Sequence, residues 1–558
     1  MKDDYLTLPD LLKDAAHDHP GNGVGFIRPD GGVHFHPYPS MLDEALSLLA
    51  GMQSAGIGNG DRIILASGKN EEIVPALWAC FLGGVVPALL QPPLSFTEYN
   101  PAAEKISRVF RRLDKPFVII SQDHLPYWEK TGISENHLLP FHSLLHPAKN
   151  AKPVKSKPGD LAFIQFSSGS TGEPKGIMLT HSNILHNVKA IIHGIQLNVA
   201  DIGVNWMPLY HDMGMIGFVL TPTKTKMTQY LIDTQDFIKN PLLWLDVLDK
   251  YRGTITACPN FGQELMKRAL HRNPERKWDL STVRILFNGA EPISARIMQH
   301  FLGRLEPFGF RPEAMLPAYG MAEATLAVTF TVHDRNPRVL SFHREDLLKK
   351  GIAAIVPDKS AQPYHLVNLG KPIKFCDIRI TGEEGKSLSE DIIGHIQVRG
   401  PNLTGGYYND QENTLSLFEG EWLNTGDLGF IHDGDLFVTG RRKDIIFING
   451  INYYAADLEE FASSIDDIQT GKIVISGYFD QARGMDRILV FMVGTYNETT
   501  HQQYLRLKHD FQHRLGLKLD TFVPLRSAEV PRTSSGKLQR FRLVERFIQG
   551  DFPKAVYL

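Results

Sequence analysis

Phe163 to Gly176 read FIQFSSGSTGEPKG, an apolar run that opens into Ser, Gly and Thr with Lys175 near its end. Small residues let backbone N–H groups approach a phosphate closely, hydroxyls add donors, and a lysine adds a point charge. The Walker-type loop places Gly-Lys-Ser/Thr four residues after its first glycine and then enters a helix. Here Pro174 falls where that second glycine belongs, and Gly-Ile-Met-Leu follows Lys175 in the manner of a strand. The stretch is therefore a candidate phosphate loop between two strands, with a solvated surface hairpin as the plain alternative.

Other residues of chemical interest are scattered along the chain. In NWMPLYHDMGMIG, Asn205 to Gly217, His211 and Asp212 sit among Met, Leu, Tyr and Trp. Such a pair could be a general base and its orienter, but adjacent residues do not readily face one another. A polar lip on an apolar pocket is the better role for His211, with a satisfied core histidine as the alternative. Asn288-Gly289-Ala290-Glu291-Pro292 and Ala318-Tyr319-Gly320-Met321-Ala322-Glu323 each follow a short apolar run. Two strand-end loops of this kind suit the carboxyl edge of a parallel sheet, where ligands collect, although a lone Glu is more ordinarily a helix cap or a surface charge. Thr425-Gly426-Asp427 offers a carboxylate for vicinal hydroxyls. Gly440-Arg441-Arg442-Lys443-Asp444 is a charge cluster at a place where a chain could change domain. Pro531 to Arg540, PRTSSGKLQR, carries Lys537 on a Ser/Gly stretch that composition alone reads as a solvated turn.

The elements that must position these residues alternate between helix and strand. Thr7 is placed as the cap of a first helix, Ser40 with Asp43 as the start of a second, and Ser182 as the cap of one running through His193. Asp61–Ala66 and Val85–Leu90 read as buried strands flanking a helix from Glu71 to Leu82. Such alternation implies parallel sheets covered on both faces. Pro147 to Pro158, rich in Lys and Pro, reads as a linker. Leu428 to Thr439 reads as a hairpin turned on Asp433-Gly434. Beyond it, Ile445–Ile448 is a strand, Asn449-Gly450 a turn, and a helix follows with Leu458, Phe461, Ala462 and Ile465 at helical spacing. Strands near 472–476 and 487–493 and a helix over about 499–515 complete a small α+β unit.

At 558 residues the chain exceeds one hydrophobic core, so two or more domains are expected. A net charge of −3 with interspersed signs gives no support for nucleic-acid binding or for an anionic membrane surface. Cys80, Cys258 and Cys376 are far apart, lack metal-ligand spacing and read as buried thiols of a reducing compartment. The acidic start MKDDYLTLPD is unlike a signal peptide, and no apolar run is long enough to span a bilayer. A cytoplasmic protein without stable membrane insertion is the expectation.

Taken in order, these motifs make a set far more specific than any member. The chain resembles the adenylate-forming superfamily of acyl-CoA synthetases, luciferases and peptide-synthetase adenylation domains. Through NWMPLYHDMGMIG, ACPNFGQEL (Ala257 to Leu265), FNGAEPI (Phe287 to Ile293) and AYGMAEATL (Ala318 to Leu326) it looks most like the fatty acyl-AMP ligases. The resemblance covers nearly the whole chain. It implies an α/β fold: a large N-terminal domain over 1–440, with parallel-rich sheets layered with helices plus a β-rich subdomain, and a small mobile α+β domain over 441–558. It implies that ATP and Mg²⁺ activate a fatty acid to acyl-adenylate with release of pyrophosphate, for an acyl carrier protein domain of a polyketide or peptide synthase. An acyl-CoA synthetase using free CoA is the alternative. By the same resemblance, Ser167, Ser168, Gly169, Ser170, Thr171, Gly172 and Lys175 would wrap the β- and γ-phosphates. Gly289, Ala290, Glu291, Tyr319 and Gly320 would hold adenine, and Glu323 would bind Mg²⁺. Asp427 would accept from the ribose hydroxyls, Arg441 would also contact the nucleotide, and His211 would line the acid pocket. Lys443 would mark the hinge, and Lys537 would bridge the substrate carboxylate and the α-phosphate as the catalytic lysine. Ala322 departs from the threonine that touches the α-phosphate in many members, which leaves that contact unassigned. The span from Glu323 to Gly370, with Asp334 to Leu366 at its middle, is longer than in acyl-CoA synthetases. It looks like the insertion that in acyl-AMP ligases restricts the domain rotation used for CoA chemistry.

Overall fold

A computed structural model describes residues 7–93, 101–167, 173–360, 363–448, 451–465, 468, 472–480, 485–532, 538–553 and 555–557. The chain begins with α1 (Leu8–Asp18), β1 (Gly23–Ile27), β2 (Val33–Pro37) and α2 (Tyr38–Ser54). Thr7 does stand at the head of α1, but its hydroxyl donates to the Asp10 carboxylate rather than capping the backbone. The second helix starts at Tyr38, ahead of the Ser40–Asp43 pair, with Pro39 in its first turn. A proline there has no N–H to leave unpaired and a φ already suited to the helix, so it outranks the capping box.

Next come β3 (Arg62–Leu65), α3 (Asn70–Gly83), β4 (Val86–Leu89), α4 (Pro101–Arg112), β5 (Phe117–Ile120) and β6 (Leu138–Pro140). These strands form a parallel sheet in the order β4-β3-β5-β6. The candidate phosphate loop joins β7 (Leu161–Ser167) to β8 (Lys175–Thr180), an antiparallel pair as the sequence implied. α5 (His181–Gly194) is capped by Thr180 in a reciprocal box with Asn183, two residues before the expected Ser182.

The chain then runs through β9 (Ile202–Asn205), α6 (Thr221–Thr225), β10 (Thr228–Ile232), α7 (Thr234–Lys239), α8 (Leu242–Lys250), β11 (Ile255–Ala257), α9 (Asn260–Arg272), β12 (Ile285–Asn288), α10 (Ala295–Leu305), β13 (Met315–Gly320) and β14 (Ala327–Phe330). Nine strands build the main sheet, with β13-β12-β11-β9-β10-β1 parallel at its centre and antiparallel strands at both edges. The central strands are short apolar runs buried on both faces, as parallel sheets under helices require.

The two sheets meet at a buried polar joint. Asp233, just after β10, accepts from the first N–H of α3 at 2.9 Å, while the Asn70 amide donates to the carbonyl of Ile232. Burial pushes the Asp233 carboxyl up to about 7. The folded chain then holds a proton that the unfolded chain releases near pH 4, so stability falls as pH rises from about 4 to 7. Asp233→Asn keeps the acceptor and removes the charge. It is expected to raise the melting temperature at pH 8 and to leave it little changed at pH 4, which thermal unfolding at the two pH values checks.

After β14 the chain forms β15 (Val339–Phe342), β16 (Tyr364–Val367), β17 (Lys371–Pro372), β18 (Asp377–Thr381), β19 (Gly394–Arg399), α11 (Gln411–Leu417), β20 (Phe418–Glu419), β21 (Trp422–His432) and β22 (Asp435–Arg441). β18 to β22 make an antiparallel subdomain. Its hairpin turns on Asp433 and Gly434, both at positive φ, which is the backbone the Asp-Gly pair was expected to supply.

β23 (Ile445–Ile448) pairs with β24 (Ile451–Tyr454), a strand not expected from the sequence, and the expected helix follows as α12 (Ala455–Ser463), while the Asn449-Gly450 turn lies outside the described residues. The run INYY is too short to show a period, which hid the strand. Then come β25 (Ile473–Asp480), β26 (Met485–Val493), α13 (Glu498–Asp510), β27 (Thr521–Leu525), α14 (Arg540–Ile548) and β28 (Val556–Tyr557), with a four-stranded sheet at their centre.

The described residues of the 334–366 segment, all but 361 and 362, are folded and packed. Phe342, Leu347, Leu348 and Tyr364 share one buried cluster with Phe430 and Phe437 of the β21–β22 hairpin and with Ile446, Tyr454 and Leu458 beyond it. Arg344 forms a two-armed ion pair with Asp457 on α12, one arm at 3.0 Å, and lies over the Tyr364 ring at 4.9 Å. The three cysteines are free and buried, as expected. Among the described residues, no helix is long and apolar enough to cross a membrane.

Candidate functional site

The β7–β8 register sets Ser167 opposite Lys175, so the candidate loop leaves and re-enters the pair at one point. Residues 168–172, which hold the expected phosphate contacts Ser168, Gly169, Ser170, Thr171 and Gly172, lie outside the described residues. Lys175 is described. Its ammonium donates to the Asn413 amide oxygen at 2.7 Å and stands over the Tyr407 ring at 4.8 Å. Burial lowers its pKa, and Asp410 and Glu323 oppose that shift.

Glu323 lies in a single turn just after β13. Its Oε1 accepts from the Tyr407 hydroxyl at 3.0 Å, and its backbone carbonyl accepts from the N–H of Thr404. Tyr407 thus stands between the lysine and the carboxylate that sequence reading assigned to phosphate and metal. Its own role had no signal in the sequence, since Gly-Gly-Tyr-Tyr has neither period nor charge.

At the carboxyl edge of the main sheet, Asn288 on β12 pairs with Pro317 on β13, which brings Gly289 and Ala290 beside Ala318 and Tyr319. A Cβ on Gly289 would lie 2.8 Å from the carbonyl oxygen of Ala318, and one on Gly320 would lie 1.9 Å from that of Leu326. Both positions need glycine because backbones pass too closely for a side chain. The Glu291 carboxylate accepts from the N–H of Phe261 in the first turn of α9, as a helix-capping side chain does.

Asp427 is held at the same edge. Tyr319 donates its hydroxyl to Oδ2 at 2.7 Å, and Arg441, directly opposite in the β21–β22 pair, donates Nε to Oδ1 at 3.1 Å. Burial and the neighbouring Asp427 push the Tyr319 phenol well up, so it remains a donor. Each Asp427 oxygen keeps a further lone pair, so the carboxylate can still accept from two ligand hydroxyls.

His211 and Asp212 do face one another: Nδ1 and Oδ1 are 2.6 Å apart. Contrary to expectation, adjacency is no obstacle, because Asp212 heads the wide helical turns of Met213–Leu220 and its carboxylate accepts from the N–H of Met213. Both residues line an apolar pocket between α5 and the main sheet, together with Ile191, Ile195, Phe218, Phe287 and Phe330. A Cβ on Gly194 would meet the Phe330 ring at 2.3 Å, so that glycine lets the ring lie against the helix.

Lys443 sits in the turn after β22 and is close enough to Lys175 to help lower its pKa. Lys537 lies outside the described residues. The chain resumes at Leu538, which bridges Arg532, and Arg540 is anchored to Glu459 at 2.6 Å and to Asp444 beside Lys443 at 3.6 Å. Among the described residues no group of three or more His, Cys, Asp or Glu could hold a metal ion.

A family model described as AMP-binding enzyme matches residues 13–408. A Caulobacter vibrioides protein named for acyl-CoA synthetase is 31% identical over 557 residues, covering 98% of this chain and 96% of its own. The medium-chain-fatty-acid–[acyl-carrier-protein] ligase JamA of Moorena producens is 29% identical over 583 residues, covering 98% of this chain and 96% of its own. A solved structure from work on fatty acyl-adenylate ligases of E. coli and L. pneumophila superposes with a TM-score of 0.91 at 31% identity, covering 99% of each chain.

Proposed function

The chain belongs to the AMP-binding enzyme family and is an adenylate-forming ligase, and on that footing we propose that its acid is a fatty acid. In this reading the acyl-adenylate passes to an acyl carrier protein domain of a polyketide or peptide synthase. The observation that carries the reading is the apolar pocket lined in part by Tyr319, whose hydroxyl meets Asp427, just before the Glu323 turn. A chain lying against Ile191, Phe218 and Phe330 would present its carboxylate at the edge where the nucleotide would sit. Two carrier-protein ligases among the relatives, including JamA, support this choice of acceptor.

The reaction forms one bond from a carboxylate oxygen to the α-phosphorus and breaks one from that phosphorus to the pyrophosphate oxygen. An anion attacks an anion, so catalysis consists of positioning and charge stabilisation, and no protein nucleophile is needed. Asp427 would hold the ribose, Gly289, Ala290 and Tyr319 the adenine, Lys175 the outer phosphates, and Lys537 the reacting carboxylate and α-phosphate. Arg441 would hold the Asp427 carboxylate in place through its Nε donor. Glu323 fits Mg²⁺, a hard cation that takes one or two carboxylates and completes its shell with phosphate oxygens and water. The bound ion would neutralise phosphate charge. We place the boundary between the two domains at 440/441, with Lys443 at the hinge.

A second reading, thioester formation with free CoA, is favoured by the Caulobacter relative's name. The shared core between the 334–366 segment and α12 weighs against it. The expected result is fatty-acid-dependent pyrophosphate release, with transfer to holo-acyl carrier protein exceeding transfer to CoA. A product assay with ATP, a panel of fatty acids and either acceptor checks it. Absence of pyrophosphate release at every chain length would overturn the fatty-acid reading.

A further inference from the structure

Helix α4 carries Lys105, Arg108 and Arg112 on one face, at spacings of three and four residues. All three reach the strand ends that flank the candidate phosphate loop. Lys105 donates to the carbonyl of Phe166 at 3.1 Å, and burial lowers its pKa to about 8. Arg108 pairs with Glu173 at 3.2 Å. Arg112 does the most: its guanidinium donates to the carbonyl of Pro174 at 3.1 Å, to that of Tyr408 at 3.3 Å and to the Asp410 carboxylate at 2.7 Å.

From Asp410 the contacts continue to Lys175. The other Asp410 oxygen accepts from the Asn413 amide at 2.9 Å, which turns the Asn413 oxygen outward to accept from the Lys175 ammonium at 2.7 Å. An asparagine amide has one acceptor end and one donor end, so fixing the donor end fixes where the acceptor points. Tyr408 returns the chain to β8 through its N–H on the Gly176 carbonyl. Arg112 therefore holds the residue before Lys175, the segment packed beside it, and the direction of its side chain. No part of this relay touches Tyr319 or Asp427.

We propose that Arg112 is a positioning residue for the polyphosphate of ATP, acting through Asp410 and Asn413 on Lys175. The proposal rests on the assignment of Lys175 to the outer phosphates and is independent of which acid the enzyme activates. Lys105 and Arg108 fix the other approaches to the loop, and Arg112 sets the lysine.

The test is a binding cycle with a non-hydrolysable ATP analogue and Mg²⁺, and separately with AMP, neither needing an acid substrate. Arg112→Gln is expected to weaken the ATP analogue about tenfold, the size of one lost charge-assisted contact, and to leave AMP unchanged. Lys175→Met should do the same, and the double variant should bind no more weakly than Lys175→Met alone, because both changes remove one pathway. Asn413→Leu, half-buried in the first turn of α11, should reproduce the Arg112 effect if Arg112→Gln folds poorly. AMP weakened as much as the analogue, or additive losses in the double variant, would overturn the proposal. Loss of pyrophosphate release with fatty acids alone would count against the fatty-acid reading and leave this cycle readable.

Discussion

Lys537→Ala is expected to slow acyl-adenylate formation by about 10²- to 10³-fold, the loss typical of one preorganised charge aimed at a transition state. ATP affinity should change little. The nucleotide contacts proposed for Asp427, Tyr319, Gly289 and Lys175 come from the β12–β13 edge, the β21–β22 hairpin and β8, all of them well before residue 537 in the chain. Its neighbours are anchored elsewhere: Arg540 is tied to Glu459 and Asp444, so removing one lysine side chain leaves that attachment intact. Single-turnover formation of acyl-adenylate, measured beside analogue binding, separates the two effects. Near-normal adenylate formation in a folded Lys537→Ala enzyme would remove Lys537 from the chemistry.

The fold was legible wherever a local signal and the tertiary answer agreed. Buried strands such as Arg62–Leu65 announced the parallel sheets as short apolar runs, and Asp433-Gly434 announced its hairpin because both residues accept positive φ. Helix starts were less legible. Ser40 and Ser182 are ordinary capping residues, but Pro39 and the Thr180–Asn183 box set the starts two residues earlier. Of the residues that motifs single out, the structure brings Lys175 and Glu323 against one tyrosine and Asp427 against Tyr319 and Arg441. What sequence could not supply were Tyr407, Asn413 and Arg112, because their significance lies in contacts between residues far apart in the chain. Arg112 and Asp410 are 298 positions apart. The same limit hid the side-chain direction of Glu291, which only the placement of α9 decides.

Breaking the Arg344–Asp457 pair is expected to raise acyl-CoA formation more than it changes adenylate formation. Arg344 belongs to the segment whose length set the chain apart from acyl-CoA synthetases, and Asp457 is on α12, within the proposed small domain. The pair is largely buried, with side-chain exposures of 18% and 11%. Two further contacts tie the same helix to the start of α10: Ser294 donates to Glu460 at 2.9 Å, and Arg296 donates to the carbonyl of Ser463. Removing one partner of a buried pair leaves the other uncompensated, at about 3–5 kcal/mol. At 1.4 kcal/mol per tenfold, that is a shift of about 10²-fold or more in the balance between the docked arrangement and any other the domain can adopt. A ligand that needs the other arrangement gains apparent affinity in proportion to its population. Arg344→Met should therefore increase the ratio of thioester to adenylate at saturating CoA. Arg344→Met with Asp457→Leu, which leaves no charge unpaired and restores apolar contact over Tyr364, should increase it less. Parallel measurement of both products in the wild type and the two variants is the test. Efficient acyl-CoA formation by the wild type would mean that the packed segment does not hold the domain back, and the synthetase reading would take its place.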